Sequence, residues 1–115
     1  MKIVNMKTLN KTQLTQAVQM LTDELPLGWP TLADAEQEVR GRLNPCGTPD
    51  CLWRYEGESA FLAAVESGQV VGWGGILPAY GRVCELHPLV VRRDRQGKGV
   101  GTMLIGALED FARAP

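Results

Sequence analysis

The stretch VVRRDRQGKGVGTMLIGALEDFA, residues 90–112, decides how this chain is read. Two valines lead into a cluster of charges, then a glycine-rich turn, then an apolar pattern of helical spacing. Gly97, Gly99 and Gly101 strip side chains from a turn that opens a helix. Bare amides at such a place surround an anion well, because the helix dipole adds to them. Arg95 and Lys98 place positive charge beside the turn, and a diphosphate is the natural guest. A tight strand-to-helix turn without a ligand is the plainer alternative. Two phosphate loops are excluded by spacing. A P-loop needs G-x-x-x-x-G-K-[ST], which is absent here. The dinucleotide fingerprint G-x-G-x-x-G, counted from Gly97 and Gly99, meets Thr102 at its third glycine. The pattern that fits is Gln96-x-x-Gly99-x-Gly101.

Working outward, MKIVNMKTL reads as a short first strand. Leu14, Ala17, Val18, Leu21 and Leu25 follow helical spacing, with Asn10 or Thr12 as cap and Pro26 as stop. Thr31 caps a second helix, LADAEQEVRGRL, with Leu32, Ala35, Val39 and Leu43 on one face. CGTPDCLWRYEGES is a loop in which CLWRY is locally extended. AFLAAV and QVVGWGGIL form a hairpin turning at Gly68. RVCELHPLVV is a further strand, bulged at His87-Pro88 because proline donates no ladder hydrogen bond. The last helix turns Met103 or Leu104, Ala107, Leu108 and Phe111 inward. The order is strand, two helices, three mainly antiparallel strands and a helix, an α/β (α+β) fold in one domain over residues 1–115.

With 115 residues and a net charge of −1, nothing suggests a nucleic-acid or membrane-surface partner. No apolar run approaches the ~18 residues of a membrane span, and the N-terminus lacks the apolar core of a signal peptide. A cytoplasmic protein is expected. The three cysteines, Cys46, Cys51 and Cys84, have no zinc-ligand spacing, so no metal is expected. Cys46 and Cys51 are close enough for a local disulfide, though free thiols are the plainer state in a reducing compartment.

Gln96-x-x-Gly99-x-Gly101 after LVV resembles the acetyl-CoA signature of the GCN5-related N-acetyltransferases (GNAT). Residues 71–112 are similar to aminoglycoside 6'-N-acetyltransferases, most specifically in ELHPLVV, as is the GWP segment near the second helix. The resemblance implies an acyl-CoA N-acyltransferase fold, acetyl-CoA as co-substrate and a small-molecule amine as acceptor, the 6'-amine of an aminoglycoside first among them. It also implies a later parallel strand, helix and hairpin, with a tyrosine acid, that these 115 residues do not contain.

The same resemblance implies that Leu89, Val90 and Val91 pair with the pantetheine arm through their backbones. The Leu89 N–H is then the oxyanion donor. Arg95, Gln96, Gly97, Lys98, Gly99, Val100, Gly101 and Thr102 surround the diphosphate. Glu85 is the candidate base and amine ligand, since a carboxylate on an apolar strand needs a partner or water. His87 shares its face by strand alternation and orients substrate or water. Trp29 and Tyr80 lie in loops where aromatic faces suit sugar rings and cations, or plug the packing. Asp23, Glu24, Asp34, Glu36 and Glu38 make either an acidic rim for a polycation or a solvated helix face. A homodimer is expected from an open sheet edge. A non-catalytic CoA-binding or oligomeric remnant, and an acetyltransferase for another amine or a peptide N-terminus, are the alternatives.

Overall fold

The computed structural model describes residues 1–43, 60–80 and 83–113, and the side chains of 1–41, 61–76 and 88–111. The segment CGTPDCLWRYEGES, with Cys46 and Cys51 in it, lies outside the described residues, as do the side chains of Leu43, Cys84, Glu85, His87 and Tyr80. The elements follow the expected order: β1 Lys2–Asn5, α1 Lys11–Glu24, α2 Leu32–Leu43, β2 Ala60–Glu66, β3 Gln69–Tyr80, β4 Val83–Val91 and α3 Val100–Arg113. The strands form one antiparallel sheet in the order β1-β2-β3-β4.

Local chemistry accounts for the boundaries. Asn10, not Thr12, caps α1. Its side chain accepts from Gln13 N while Gln13 Oε1 accepts from Asn10 N, a reciprocal capping box. Thr31 Oγ1 accepts from Asp34 N at 3.1 Å and starts α2. Ser67 and Gly68 both have positive φ, 51° and 77°. Two such residues between the paired Glu66 and Gln69 make the hairpin turn whose twist matches the strands.

Alternation along the strands, offset in β3 by the register irregularity opposite Ala64 and Val65, sorts the core into two layers. Phe61, Ala63, Val70, Trp73 and Val90 face α1 and α2, meeting Ala17, Met20, Leu21, Ala35 and Val39. Ala64 and Val71 face the opposite side and meet Val100 and Leu104 of α3. Close approach fixes α3 there. A Cβ on Gly72 would stand 3.1 Å from Val100 Cγ1 and 3.2 Å from Leu104 Cδ1, so the bare strand backbone acts as the seat of the helix.

Some expected faces shift. Leu32 is 50% exposed, not part of the α2 core face. It opens the helix, ahead of the turns that reach α1. Leu104 is the inward residue of its pair, while Met103 is 46% exposed. Met6, Met20 and Val100 are buried although the apolar pattern did not single them out. Strand β3 continues through Pro78 to Tyr80, so Tyr80 ends a strand instead of lying in a loop. A register irregularity between Pro78 and Tyr80 accommodates the proline.

Candidate functional site

Strand β4 enters the site irregularly. Gly74 pairs with Leu89 and Ile76 with Leu86, so His87 and Pro88 together oppose the single residue Gly75. That is the bulge expected from the proline. Beyond it the ladder is regular. Arg92 N donates to Val71 O at 2.8 Å, which directs the amides of Arg92 and Val90 toward β3. By alternation the N–H groups of Leu89 and Val91 then point away from β3. Strand β4 is last in the sheet, so these amides face its open edge. The Leu89 and Val91 side chains pack toward α3, while Val90 is buried toward α1 and α2.

The chain then makes a short helical turn at Arg93–Arg95, passes Gln96, and bends through two left-handed glycines. Gly97 has φ 75° and Gly99 φ 86°, a backbone region that most side chains disfavour. Gly99 O receives Met103 N at 3.0 Å and so begins α3. The amides of Val100, Gly101 and Thr102 precede the first intrahelical bond and have no carbonyl four residues back within the helix. No described atom lies within 4 Å of where a Cβ on Gly97 or Gly99 would be. Open space, unspent amides and the positive end of a helix dipole coincide here.

The charges around this turn are divided. Arg95 Nε donates to Glu66 Oε2 at 2.9 Å, and its NH1 lies 3.2 Å from Asp94 Oδ2. The hydrogen bond to Glu66 and then its charge raise the Arg95 pKa. The same hydrogen bond is the main cause that lowers the Glu66 pKa. Asp94 is lowered chiefly by its hydrogen bond from Arg92. Arg95 is therefore an anchor to the β2–β3 hairpin whose charge is already balanced. Arg92 reaches the other side of the same hairpin, donating to Gln69 Oε1 at 3.1 Å. Lys98 is exposed at the turn itself and is the base whose charge remains for an anion.

The side chain of Gln96 is occupied too. Its Nε2 donates to Glu24 Oε2 and to Val91 O, both at 2.9 Å, and its backbone N–H donates to Arg93 O at 3.3 Å. The sequence places Glu24 only in the acidic rim. No sequence spacing links it to Gln96, seventy-two positions away. Three others of that rim have local partners. Asp23 accepts from Gln19, Asp34 from Thr31, and Glu36 pairs with Arg40. A solvated helix face describes these residues. A cleft of about 430 Å³ beside α1 has Gln19, Asp23, Glu24, Arg92 and Arg93 in its walls.

Trp29 lies in the loop after α1, half-buried against the α1–α2 core. Its indole body therefore packs. Glu85 and His87 are placed by backbone alone. Glu85 pairs with Leu77 on β3, and His87 sits in the bulge. Among the described residues no group of three His, Cys, Asp or Glu could hold a metal, and no helix is long and apolar enough to cross a membrane.

The geometry defines a class first: an α/β domain with a left-handed glycine turn and open amides at the start of a helix, beside the edge strand of the sheet. Comparison with known proteins makes the class specific. The chain belongs to the acetyltransferase (GNAT) family, whose sequence profile matches residues 14–115. It is 32% identical to an aminoglycoside 6'-N-acetyltransferase solved in complex with coenzyme A, with TM-score 0.73. It is 29% identical to the aminoglycoside 6'-N-acetyltransferase of Enterococcus faecium, with TM-score 0.75. Both likenesses cover 97% of this chain and 55% of the other. A type Ii aminoglycoside 6'-acetyltransferase is 31% identical, over 97% of this chain and 64% of that one, with TM-score 0.71. The chain thus spans little more than half the length of the first two structures. No curated protein matches it.

Proposed function

We propose that this chain carries the acetyl-CoA side of an N-acetyltransferase whose acceptor is a primary amine, the 6'-amine of an aminoglycoside. The observation that carries it is the turn at Gly97–Gly101, with left-handed glycines and open α3 amides directly after the outward-facing edge of β4. The likeness to a 6'-N-acetyltransferase solved with coenzyme A supports the same reading. In it, the amides of Val100, Gly101 and Thr102, with Lys98, receive the diphosphate. The edge groups of Leu89 and the Val91 N–H pair with the pantetheine arm, the Val91 carbonyl being held by Gln96 Nε2.

Acetyl transfer then needs three things of the chain. The ammonium must lose a proton, which Glu85 accepts directly or through a water held near His87. The free amine attacks the thioester carbonyl carbon, and the Leu89 N–H donates to the developing oxyanion. The new C–N bond forms as the C–S bond breaks, sulfur leaves as the CoA thiolate, and the extra proton on the acylated nitrogen passes to that thiolate or to solvent water. Trp29 and Tyr80 supply aromatic surface for the acceptor's rings. Such an enzyme works in the cytoplasm, where acetyl-CoA is available.

The test is release of CoA thiol from acetyl-CoA with two aminoglycosides, one bearing a 6'-amine and the other a 6'-hydroxyl. Release only with the amine is expected, and Glu85→Gln should lower turnover about a hundredfold, the size of a typical general-base contribution. No release with the amine, or an unchanged Glu85→Gln rate and pH profile, would overturn it.

A homodimer belongs to the same proposal. The β1 edge, at the opposite end of the sheet from the one that receives the pantetheine arm, presents backbone groups that a second copy can cover, and closed two-fold pairs are the commonest homo-oligomers. Light scattering at micromolar concentration should give twice the chain mass; a stable monomer refutes the dimer.

A further inference from the structure

The last turn of α1 holds a carboxylate whose placement calls for a cause. Glu24 is the final residue of that helix, where the negative end of the dipole disfavours an acid. Its side chain is only 10% exposed, and an ionised carboxylate so buried needs partners. Both partners come from the segment between β4 and α3. Gln96 Nε2 donates to Glu24 Oε2 at 2.9 Å, and Arg93 Nε stands 3.6 Å from Oε1. The same Gln96 nitrogen donates to Val91 O at 2.9 Å. One amide group thus ties the end of α1 to the end of β4, immediately before Gly97.

We propose that Glu24 is a positioning residue for the glycine turn. It holds Gln96, and through it the left-handed Gly97 and Gly99, in the arrangement that presents the α3 amides to a diphosphate ester. The proposal rests on the CoA-binding reading above. A glycine segment left unanchored samples many conformations, and binding must then order it. Arg92 and Arg95 fasten the earlier part of the segment to the β2–β3 hairpin. The Gln96–Glu24 bond acts next to the glycines themselves. Because Glu24 touches no reacting atom, its effect should be confined to the ligand's diphosphate end.

Calorimetry with CoA, and with pantetheine as the probe that lacks the diphosphate, separates positioning from general loosening. Glu24→Ala and Gln96→Ala should each weaken CoA about tenfold, the scale of one hydrogen bond to a charged group. Pantetheine affinity should stay at the wild-type value. Glu24→Gln keeps an acceptor oxygen and should restore CoA affinity to within about twofold. The double alanine variant should be no weaker than either single one, since both remove the same contact. Unchanged CoA affinity in the alanine variants, or an equal loss for pantetheine, overturns the role of Glu24. If Glu24→Ala fails to fold, the exposed Gln96→Ala decides the question alone. A wild-type chain with no affinity for CoA overturns the CoA-binding reading itself, whereas a binding wild type with unaffected variants removes only Glu24.

Discussion

Gly99→Asp is expected to fold normally and to lose CoA by more than about a hundredfold. The two halves of that expectation have separate causes. Gly99 lies at φ 86°, and aspartate is among the residues that tolerate the left-handed region best. A Cβ there meets no described atom within 4 Å, so the new side chain enters open space. What changes is the field at the start of α3. A carboxylate about 5 Å from one phosphate charge costs roughly 3 kcal/mol at an effective dielectric of about 20, which is a factor of over a hundred in affinity. The carboxylate also competes with the ligand for the amides of Val100, Gly101 and Thr102. Calorimetric titration with CoA, with circular dichroism as the check on folding, measures both. A well-folded variant that binds CoA as tightly as the parent would remove the turn from the binding site.

Trp73→Ala should act on the other half of the balance, stability. Trp73 is fully buried on β3, and its indole Nε1 donates to Ala17 O in α1 at 3.0 Å. One side chain therefore joins the central sheet to the helix that carries Glu24. Truncating a buried tryptophan typically costs about 3–5 kcal/mol, combining lost transfer energy with the cavity left behind. Domains of this kind are stable by only about 5–15 kcal/mol in all, so a large share of the margin disappears. Denaturant unfolding should show a midpoint far below the parent's with an unchanged slope. Trp73→Phe, which keeps an aromatic filler and loses the hydrogen bond, should lose about a third as much. A loss under about 1 kcal/mol for the alanine variant would mean that the α1–sheet joint is held elsewhere.

The elements were legible in the sequence because each is announced by local chemistry. Asn10 and Thr31 carry capping oxygens, and Gly68 permits a tight hairpin. Pro88 cannot donate to a ladder, which is why the bulge at His87-Pro88 is legible in the sequence. The glycine turn was legible for the same reason: its spacing excluded two phosphate loops, and the left-handed Gly97 and Gly99 open α3 where the pattern put them. Faces were less legible. The helical pattern admitted both Met103 and Leu104, and only the seat formed by Gly72 selects Leu104. Leu32 fits the periodicity of α2 but sits one turn too early to reach a partner.

The different roles of Arg95 and Lys98 were decided by tertiary structure. Arg95 and Lys98 look equivalent beside the turn, as two bases flanking glycines. Folding brings Glu66 to Arg95 and balances it, leaving Lys98 exposed. Gln96 and Glu24 likewise meet only because α1 and the end of β4 lie side by side. A sequence records which groups can cap, turn or bulge, since those interactions span a few residues. It does not record which opposite charge arrives from a distant strand, and that arrival determines whether a basic residue is an anchor or remains for a ligand.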